Sequence, residues 1–99
     1  MLFATIYTSR GDGSEERDKR TLQLFKNWNP PAAFQIKSFY DFADGSGGIV
    51  ISETDSAAAI LEAVAPWLPY NNFKVVPIVD TTESTPIFER GAAWRESIR

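Results

Sequence analysis

Four polar side chains that could project from one face of a predicted sheet are the best candidates for chemistry in this sequence. They are Tyr7, Lys37, Asp41 and Glu53, and the aromatic Phe39 lies between two of them. A lysine beside a carboxylate can transfer protons or orient a ligand, and a few polar groups that converge in an apolar cavity are typical of a small-molecule site. Salt bridges or contact with solvent would account for the same residues, so both interpretations stay open.

Cysteine and histidine are both absent from the chain. Their absence excludes disulfides, thiol nucleophiles, Ser-His and Cys-His catalytic pairs, and metal sites that need thiolate or imidazole ligands. Only oxygen ligands remain, and the acidic residues do not follow the spacing of a calcium-binding loop. We therefore expect neither a cofactor nor a metal ion, and a chain without cysteine suits the reducing cytoplasm.

Three further features have both a functional and a structural interpretation. Gly47-Gly48 resembles part of a phosphate-binding loop, but such loops precede a helix and a strand is predicted here, so a simple hairpin is favoured. Trp28 and Trp67 could stack on a ligand, although their places near the ends of apolar helical stripes favour the core. Arg17 lies on the inner side of the first predicted helix, where it could cover a cavity mouth or remain solvated.

The net charge of −3 argues against nucleic acid as a partner, because binding a polyanion requires a basic patch. The basic residues between Arg10 and Lys26 are interleaved with acidic ones, which indicates a solvated helix face. Residues 1–6 have no basic leader and are too short to cross a membrane, so we expect a strand there and no membrane association.

Hydrophobic periodicity predicts four strands, two amphipathic helices between them and a third helix at the end of the 99-residue chain. The first helix follows the glycine-rich turn at residues 11–13 and ends before Pro30-Pro31. A hairpin turn is predicted over residues 44–48, and the third helix is expected to begin at Thr85-Pro86. The predicted strands are residues 2–8, 34–42, 49–53 and 73–79.

The element order, β-α-β-β-α-β, predicts one small α+β domain with a ferredoxin-like fold. Right-handed crossovers place both helices on one face of a four-stranded antiparallel sheet, with the first and third strands at its centre. Pro77 agrees with this order, because a proline is tolerated best on an edge strand. We assign residues 1–80 to the α+β domain and residues 81–99 to a C-terminal helical extension of it.

One face of the sheet is predicted to lie open. If Leu2, Ala4 and Ile6 face the helices, the residues that point away from them are Phe3, Thr5, Tyr7, Lys37, Phe39, Asp41, Ile49, Ile51 and Glu53. An exposed patch with that many apolar side chains usually contacts a partner. We therefore predict a homodimer in which two open faces meet across a twofold axis and enclose a partly apolar cavity.

Three segments of the sequence resemble a bacterial family of short proteins in the dimeric α/β-barrel superfamily. They are ADGSGGIVISETD at residues 43–55, Trp67, and FKVVPIVD at residues 73–80. The similarity spans roughly residues 1–80 and implies a ferredoxin-like fold and a dimer, but the family has no established activity to transfer. Its members often have an aromatic residue followed by histidine where this chain has Tyr40-Asp41, so chemistry that depends on that imidazole is not expected here.

Three functions are compatible with these features. The first is a homodimeric module that binds a small molecule through Tyr7, Lys37, Phe39, Asp41 and Glu53. The second is a cofactor-independent enzyme in the same cavity, such as a monooxygenase or an isomerase, and it rests on the superfamily alone. In the third, the C-terminal helix binds another protein through Ile87, Phe88 and Trp94.

Overall fold

A computed structural model describes residues 1–11 and 13–98. Its elements are β1 (Leu2–Ser9), α1 (Glu15–Lys26), β2 (Gln35–Asp41), β3 (Gly47–Glu53), α2 (Ala57–Val64), a 3₁₀ turn (Ala65–Trp67), β4 (Asn71–Ile78) and α3 (Thr81–Ser97). The four strands form one antiparallel sheet in the order β2-β3-β1-β4. The predicted ferredoxin-like layout is confirmed, with β1 and β3 in the centre and Pro77 on the edge strand β4.

Each helix begins at a polar side chain that accepts a hydrogen bond from an otherwise unpaired backbone N–H. Ser14 accepts from Arg17 N at the start of α1, and Ser56 accepts from Ala59 N at the start of α2, both at 3.2 Å. Asp80 does the same for α3, accepting from Thr82 N at 2.8 Å. The prediction that this helix begins at Thr85-Pro86 was therefore wrong, and Pro86 lies inside α3.

The prediction for the two faces of β1 was also wrong. Thr5 pairs with Val50, which belongs to the core cluster that α2 covers, and Phe3 and Tyr7 pack against the same cluster. Phe3, Thr5 and Tyr7 therefore face the helices. The open face instead carries Leu2, Ala4, Ile6, Ile49, Ile51, Val76 and Ile78, together with the charged Glu53 and Lys74. Ile49 and Ile51 lie there as predicted, whereas Phe3 and Phe39 do not.

An irregularity in β2 changes which of its residues share a face. The pairing with β3 shifts between Ile36 and Ser38, so that no residue of β3 lies directly opposite Lys37. A bulge of this kind reverses the alternation of the side chains that follow it. Phe39 consequently lies opposite Val50 on the helix side, together with Asp41, and the predicted grouping of Lys37 with these two residues was wrong.

Strand β3 begins two residues earlier than predicted, at Gly47. Its two glycines allow the neighbouring strands β1 and β2 to lie close to β3 on either side. A Cβ atom on Gly47 would collide with the backbone of Tyr7 and would lie 2.9 Å from Thr8 Cα. A Cβ atom on Gly48 would lie 2.5 Å from the carbonyl oxygen of Tyr40 and would collide with the Tyr7 hydroxyl. The glycine pair is thus part of the sheet rather than of a phosphate-binding loop.

The two crossover helices contact the sheet differently. Helix α2 packs closely through small and medium side chains, and Ala59, Ile60, Ala63 and Val64 are buried. Leu61, an apolar residue of the same helix, is exposed. Helix α1 has no fully buried residue and stands away from the sheet. The space that it leaves is filled only in part by aromatic side chains. No helix in the described ranges is long and apolar enough to cross a membrane.

Candidate functional site

A cavity of about 340 Å³ lies between α1 and the helix-covered face of the sheet. The floor of the cavity is the sheet. Thr5 of β1, Phe39 of β2 and Val50 of β3 lie side by side in this floor. Helix α1 forms the roof, and Val64 and Trp67 close one end. Cavities that hold small ligands usually start at about 300 Å³, so this space is large enough for a small molecule.

Most of the wall is aromatic. Seven aromatic side chains line the cavity: Tyr7, Phe25, Trp28, Phe34, Phe39, Trp67 and Phe73. Trp28 packs edge-to-face on both Phe39 and Trp67, with ring centroids 6.4 and 5.9 Å apart, and its indole N–H donates to Ala63 O at 3.1 Å. Edge-to-face contacts fix the rings relative to one another. They create an apolar chamber with walls of defined shape.

Polar lining residues are concentrated at the mouth of the cavity. Ser9, Asp18 and Asp41 are exposed, whereas Arg17 and Asn71 are half-buried. The Arg17 guanidinium donates to the backbone carbonyl of Tyr70 and lies 5.8 Å from the centre of the Tyr70 ring. The charge of Arg17 is therefore directed to Tyr70, which is not one of the lining residues. Among the residues that the structure describes, the lining carries two carboxylates and one guanidinium.

Tyr7 connects the apolar interior with this polar mouth. Its hydroxyl donates to Asp41 Oδ1 at 2.5 Å. Its ring packs edge-to-face on Phe39, and the phenol occupies the space that Gly48 leaves by having no side chain. Burial raises the pKa of Tyr7 well above its usual value, and the hydrogen bond to Asp41 and the negative charge of Asp41 raise it further. Tyr7 is thus held in its neutral form.

Alkaline titration should detect this raised pKa. The unfolded chain releases the Tyr7 proton near pH 10, whereas the folded chain keeps it at higher pH, so its stabilising contribution is complete below about pH 10 and is lost as the pH rises toward the folded value. We expect the ultraviolet absorbance of tyrosinate, compared between wild type and Tyr7→Phe, to show one tyrosine that ionises well above pH 10.

A variant of Asp41, the hydrogen-bond partner of Tyr7, separates the causes of the raised pKa. In Asp41→Asn the pKa of Tyr7 should fall only in part, because burial, its largest cause, remains. A difference curve that showed an ordinary tyrosine, ionising near pH 10 in the folded wild-type protein, would contradict the pairing of Tyr7 with Asp41.

Two hydroxyl groups on this side of the sheet are buried without a hydrogen-bond partner in the described part of the chain. They are Thr5 Oγ1 and Ser52 Oγ. Thr5 lies in the cavity wall, whereas Ser52 lies outside the lining. Leaving a buried hydroxyl unpaired costs roughly 1–3 kcal/mol, so both positions retain unused capacity for a hydrogen bond. Of these two residues, Thr5 is the one that lies in the wall of the cavity.

The structure brings three of the five predicted site residues together. Tyr7, Phe39 and Asp41 all line the cavity. Lys37 and Glu53 do not line the cavity. Their side chains form a half-exposed salt bridge with each other, with Nζ and Oε2 3.4 Å apart. Glu53 lies instead beside a second, more polar depression near the start of α2. This cavity lies between α1 and the sheet of the same chain, so Tyr7, Phe39 and Asp41 do not project from the open face as predicted. A cavity between the sheets of two copies stays a prediction.

Several lining residues were assigned by the sequence to other roles. Trp28 and Trp67 were favoured as core residues, and they are half-buried walls of the cavity. Phe25 lies on the side of α1 that faces the cavity, but the distance of that helix from the sheet could not be read from the spacing of its apolar residues. Thr5 carried no signal, because a threonine in a strand is ordinary.

The chemistry available in this cavity is limited. A proton donor works best when its pKa lies near the working pH, and the pKa of Tyr7 is moved away from neutrality. In the residues that the structure describes, no group of three or more acidic side chains is arranged to hold a metal ion. The arrangement is suited to enclosing an apolar molecule.

The fold and this cavity define a small α+β protein of ferredoxin-like layout with an aromatic chamber between one helix and the sheet. Residues 1–92 match the domain of unknown function DUF3303. Because this match covers nearly the whole chain, the protein belongs to that family. No curated protein matches the sequence.

Proposed function

We propose that this protein binds a small, uncharged aromatic molecule in the cavity between α1 and the sheet. The observation that carries the proposal is a 340 Å³ space with seven aromatic residues in its wall and polar groups at its mouth. Apolar lining with a few placed polar groups is the usual composition of a small-molecule site. The Tyr7 phenol donates its proton to Asp41, and its oxygen can accept a hydrogen bond from a polar substituent on such a ligand.

The charges around the cavity favour an uncharged ligand over an anion. Asp18 and Asp41 contribute two negative charges, and the only positive lining residue, Arg17, is directed to Tyr70. Burying an ion in an apolar chamber without a partner is costly, and the carboxylates would repel an anion at the mouth. A flat molecule of one to three rings with a hydroxyl or carbonyl group meets these conditions.

A homodimer is part of this proposal. Leu2, Ile6, Ile49, Ile51 and Val76 lie together on the open face, with the charged Glu53 and Lys74 at its edges. None of the three described helices covers this face, because α1 and α2 lie on the other side of the sheet and α3 extends away. A patch of this kind on a soluble domain is typical of an interface, and a 99-residue domain gains stability from the additional burial. The resemblance to the dimeric α/β-barrel superfamily supports the same arrangement, and the absence of cysteine is compatible with the cytoplasm.

Titration calorimetry with 2-naphthol tests the cavity. We expect saturable binding to the wild type and at least tenfold weaker binding to Val64→Phe, because Val64 lies in the wall and the larger side chain fills the space. Val75→Phe is the matched control, since Val75 lies on the same face of the sheet opposite Thr5 but outside the lining. It should bind as the wild type does.

The charged analogue 2-naphthoate tests the choice of an uncharged ligand. It should bind at least tenfold more weakly than 2-naphthol. Equal affinities for the two probes would contradict the electrostatic part of the proposal. Binding of 2-naphthol that is unaffected by Val64→Phe would contradict the cavity as the site.

A further inference from the structure

Helix α3 extends away from the rest of the chain. The radius of gyration is 17.7 Å and the longest dimension is 61 Å, whereas a compact domain of 100 residues has a radius of gyration of about 13 Å. None of the 17 residues of α3 is buried, and the helix makes no extended packing contact with another described element. A helix of that length adds about 25 Å beyond the sheet.

The direction of α3 is fixed at its start. Only Val79 and Asp80 separate it from the edge strand β4. Asp80 Oδ1 accepts hydrogen bonds from both the backbone N–H and the hydroxyl of Thr82, at 2.8 and 2.7 Å. With this short, capped connection α3 extends away from the sheet of its own chain.

The sequence of α3 is not suited to an isolated helix. It contains Pro86 and Gly91, the two residue types that destabilise a helix interior most. Isolated helices shorter than about 12–15 residues are marginal in water even for favourable sequences, and helices in proteins owe most of their stability to packing. Ile87, Trp94 and Ile98 nevertheless share one side, and each is about half to two-thirds exposed. This apolar side needs a surface to pack against.

We propose that α3 is an arm that packs onto a second copy of this chain, so that two arms are exchanged in a homodimer. The inference rests on the proposed homodimer but not on the proposed ligand. Because α3 leaves from the edge of the sheet, it lies alongside a partner that is stacked on the open face. The interface then continues from the open face onto the arm.

The apolar area of the arm favours a second copy over an unrelated partner. A covered aromatic side chain buries about 150–250 Å². Trp94, at 67 % exposure, and Phe88, at 72 % exposure but about 100° round the helix from Ile87, together offer roughly 200–350 Å² to a partner that covers both positions. A stable interface needs about 800 Å² from each partner. In a twofold exchange each copy buries its own arm and a similar area under the other arm, which gives roughly 400–700 Å² before the open face is counted.

Sedimentation equilibrium of full-length variants tests the arm. Trp94→Glu should weaken self-association at least tenfold, because it places a charge in the apolar side of α3. Ala93→Glu is the control, since it makes the same change of charge one residue away on a different side of the helix, and it should associate as the wild type does. Equal dissociation constants for the two variants would overturn the inference.

A variant of the sheet distinguishes the arm from the proposed dimer. If Ile49→Glu weakens association and Trp94→Glu does not, the open faces form the dimer and the arm is excluded. If Trp94→Glu weakens association and Ile49→Glu does not, the arm is supported and the face-to-face dimer fails. A wild-type protein that remains monomeric at high micromolar concentration would exclude both.

Photo-crosslinking gives an answer that does not depend on how a charged variant folds. Phe88→p-benzoylphenylalanine is prepared in ¹⁴N and ¹⁵N forms, which are mixed and irradiated. Crosslinked peptides that pair the two isotopes would show that the arm of one copy contacts the other copy. The two forms are unfolded in urea and refolded together before irradiation, so that mixed pairs can form. Crosslinks confined to peptides of one isotope would then show that the arm contacts only its own chain, and would overturn the inference.

Discussion

Gly47→Ala is expected to destabilise the protein by about 3 kcal/mol or more, at the upper end of what overpacking usually costs. A Cβ atom at this position would collide with the carbonyl oxygen of Tyr7 and would lie 2.8 Å from Tyr7 C and 2.9 Å from Thr8 Cα. All three neighbours are backbone atoms of β1, so no side chain can rotate away to make room. The central strand pair of the sheet must separate instead.

Urea unfolding followed by circular dichroism measures this change, and Gly91→Ala is the control. Gly91 has no neighbour within 4 Å of an added Cβ atom, and alanine is favoured over glycine in a helix by about 1 kcal/mol, so this variant should be at least as stable as the wild type. A loss below about 1 kcal/mol for Gly47→Ala would show that β1 and β3 tolerate a wider separation than their hydrogen-bonded register indicates.

The element order could be predicted from the sequence because it depends on local signals. Alternation of apolar residues marked the strands, the glycine-rich turn at residues 11–13 preceded the first helix, and Pro77 marked an edge strand. These signals act over a few residues. Once the order of the elements is known, the rules for connections leave few ways of arranging four strands in one antiparallel sheet with two helices packed on it.

The faces of the strands could not be predicted in the same way. Both sides of β1 are largely apolar, so its periodicity does not reveal which side meets the helices. In β2 the bulge near Lys37 changes the alternation, and nothing in the local sequence marks it. This single irregularity separates Lys37 from Phe39 and Asp41, and it explains why only part of the predicted site residues lie together.

The cavity depends on a distance between elements rather than on a motif. Helix α1 is supported by large aromatic side chains, whereas α2 approaches the sheet through alanines. The sequence supplies the residue sizes, but which rings meet depends on the packing of residues distant in the chain, such as Trp28 with Phe39 and Trp67. Tyr7 and Asp41 meet because the register of β1, β2 and β3 places them on either side of Gly48.

Trp28→Ala should destabilise the protein by about 3 kcal/mol, the lower end of the range for truncating a packed tryptophan, because Trp28 is only half-buried. It joins the end of α1 to α2 through the hydrogen bond to Ala63 O and to the sheet through Phe39. No residue of α1 is fully buried, so this aromatic contact is a principal attachment of the helix. Its loss should also abolish saturable binding of 2-naphthol.

Two further variants show whether the tryptophan acts through its ring or through its hydrogen bond. Trp28→Phe keeps an aromatic ring and removes the donor to Ala63 O, so it should cost only about 1 kcal/mol. Leu61→Ala truncates a side chain that is 61 % exposed, and it should change the free energy of unfolding by less than about 0.5 kcal/mol. If Trp28→Ala were as mild as Leu61→Ala, α1 would be attached by other contacts, and the aromatic wall could not set the width of the cavity.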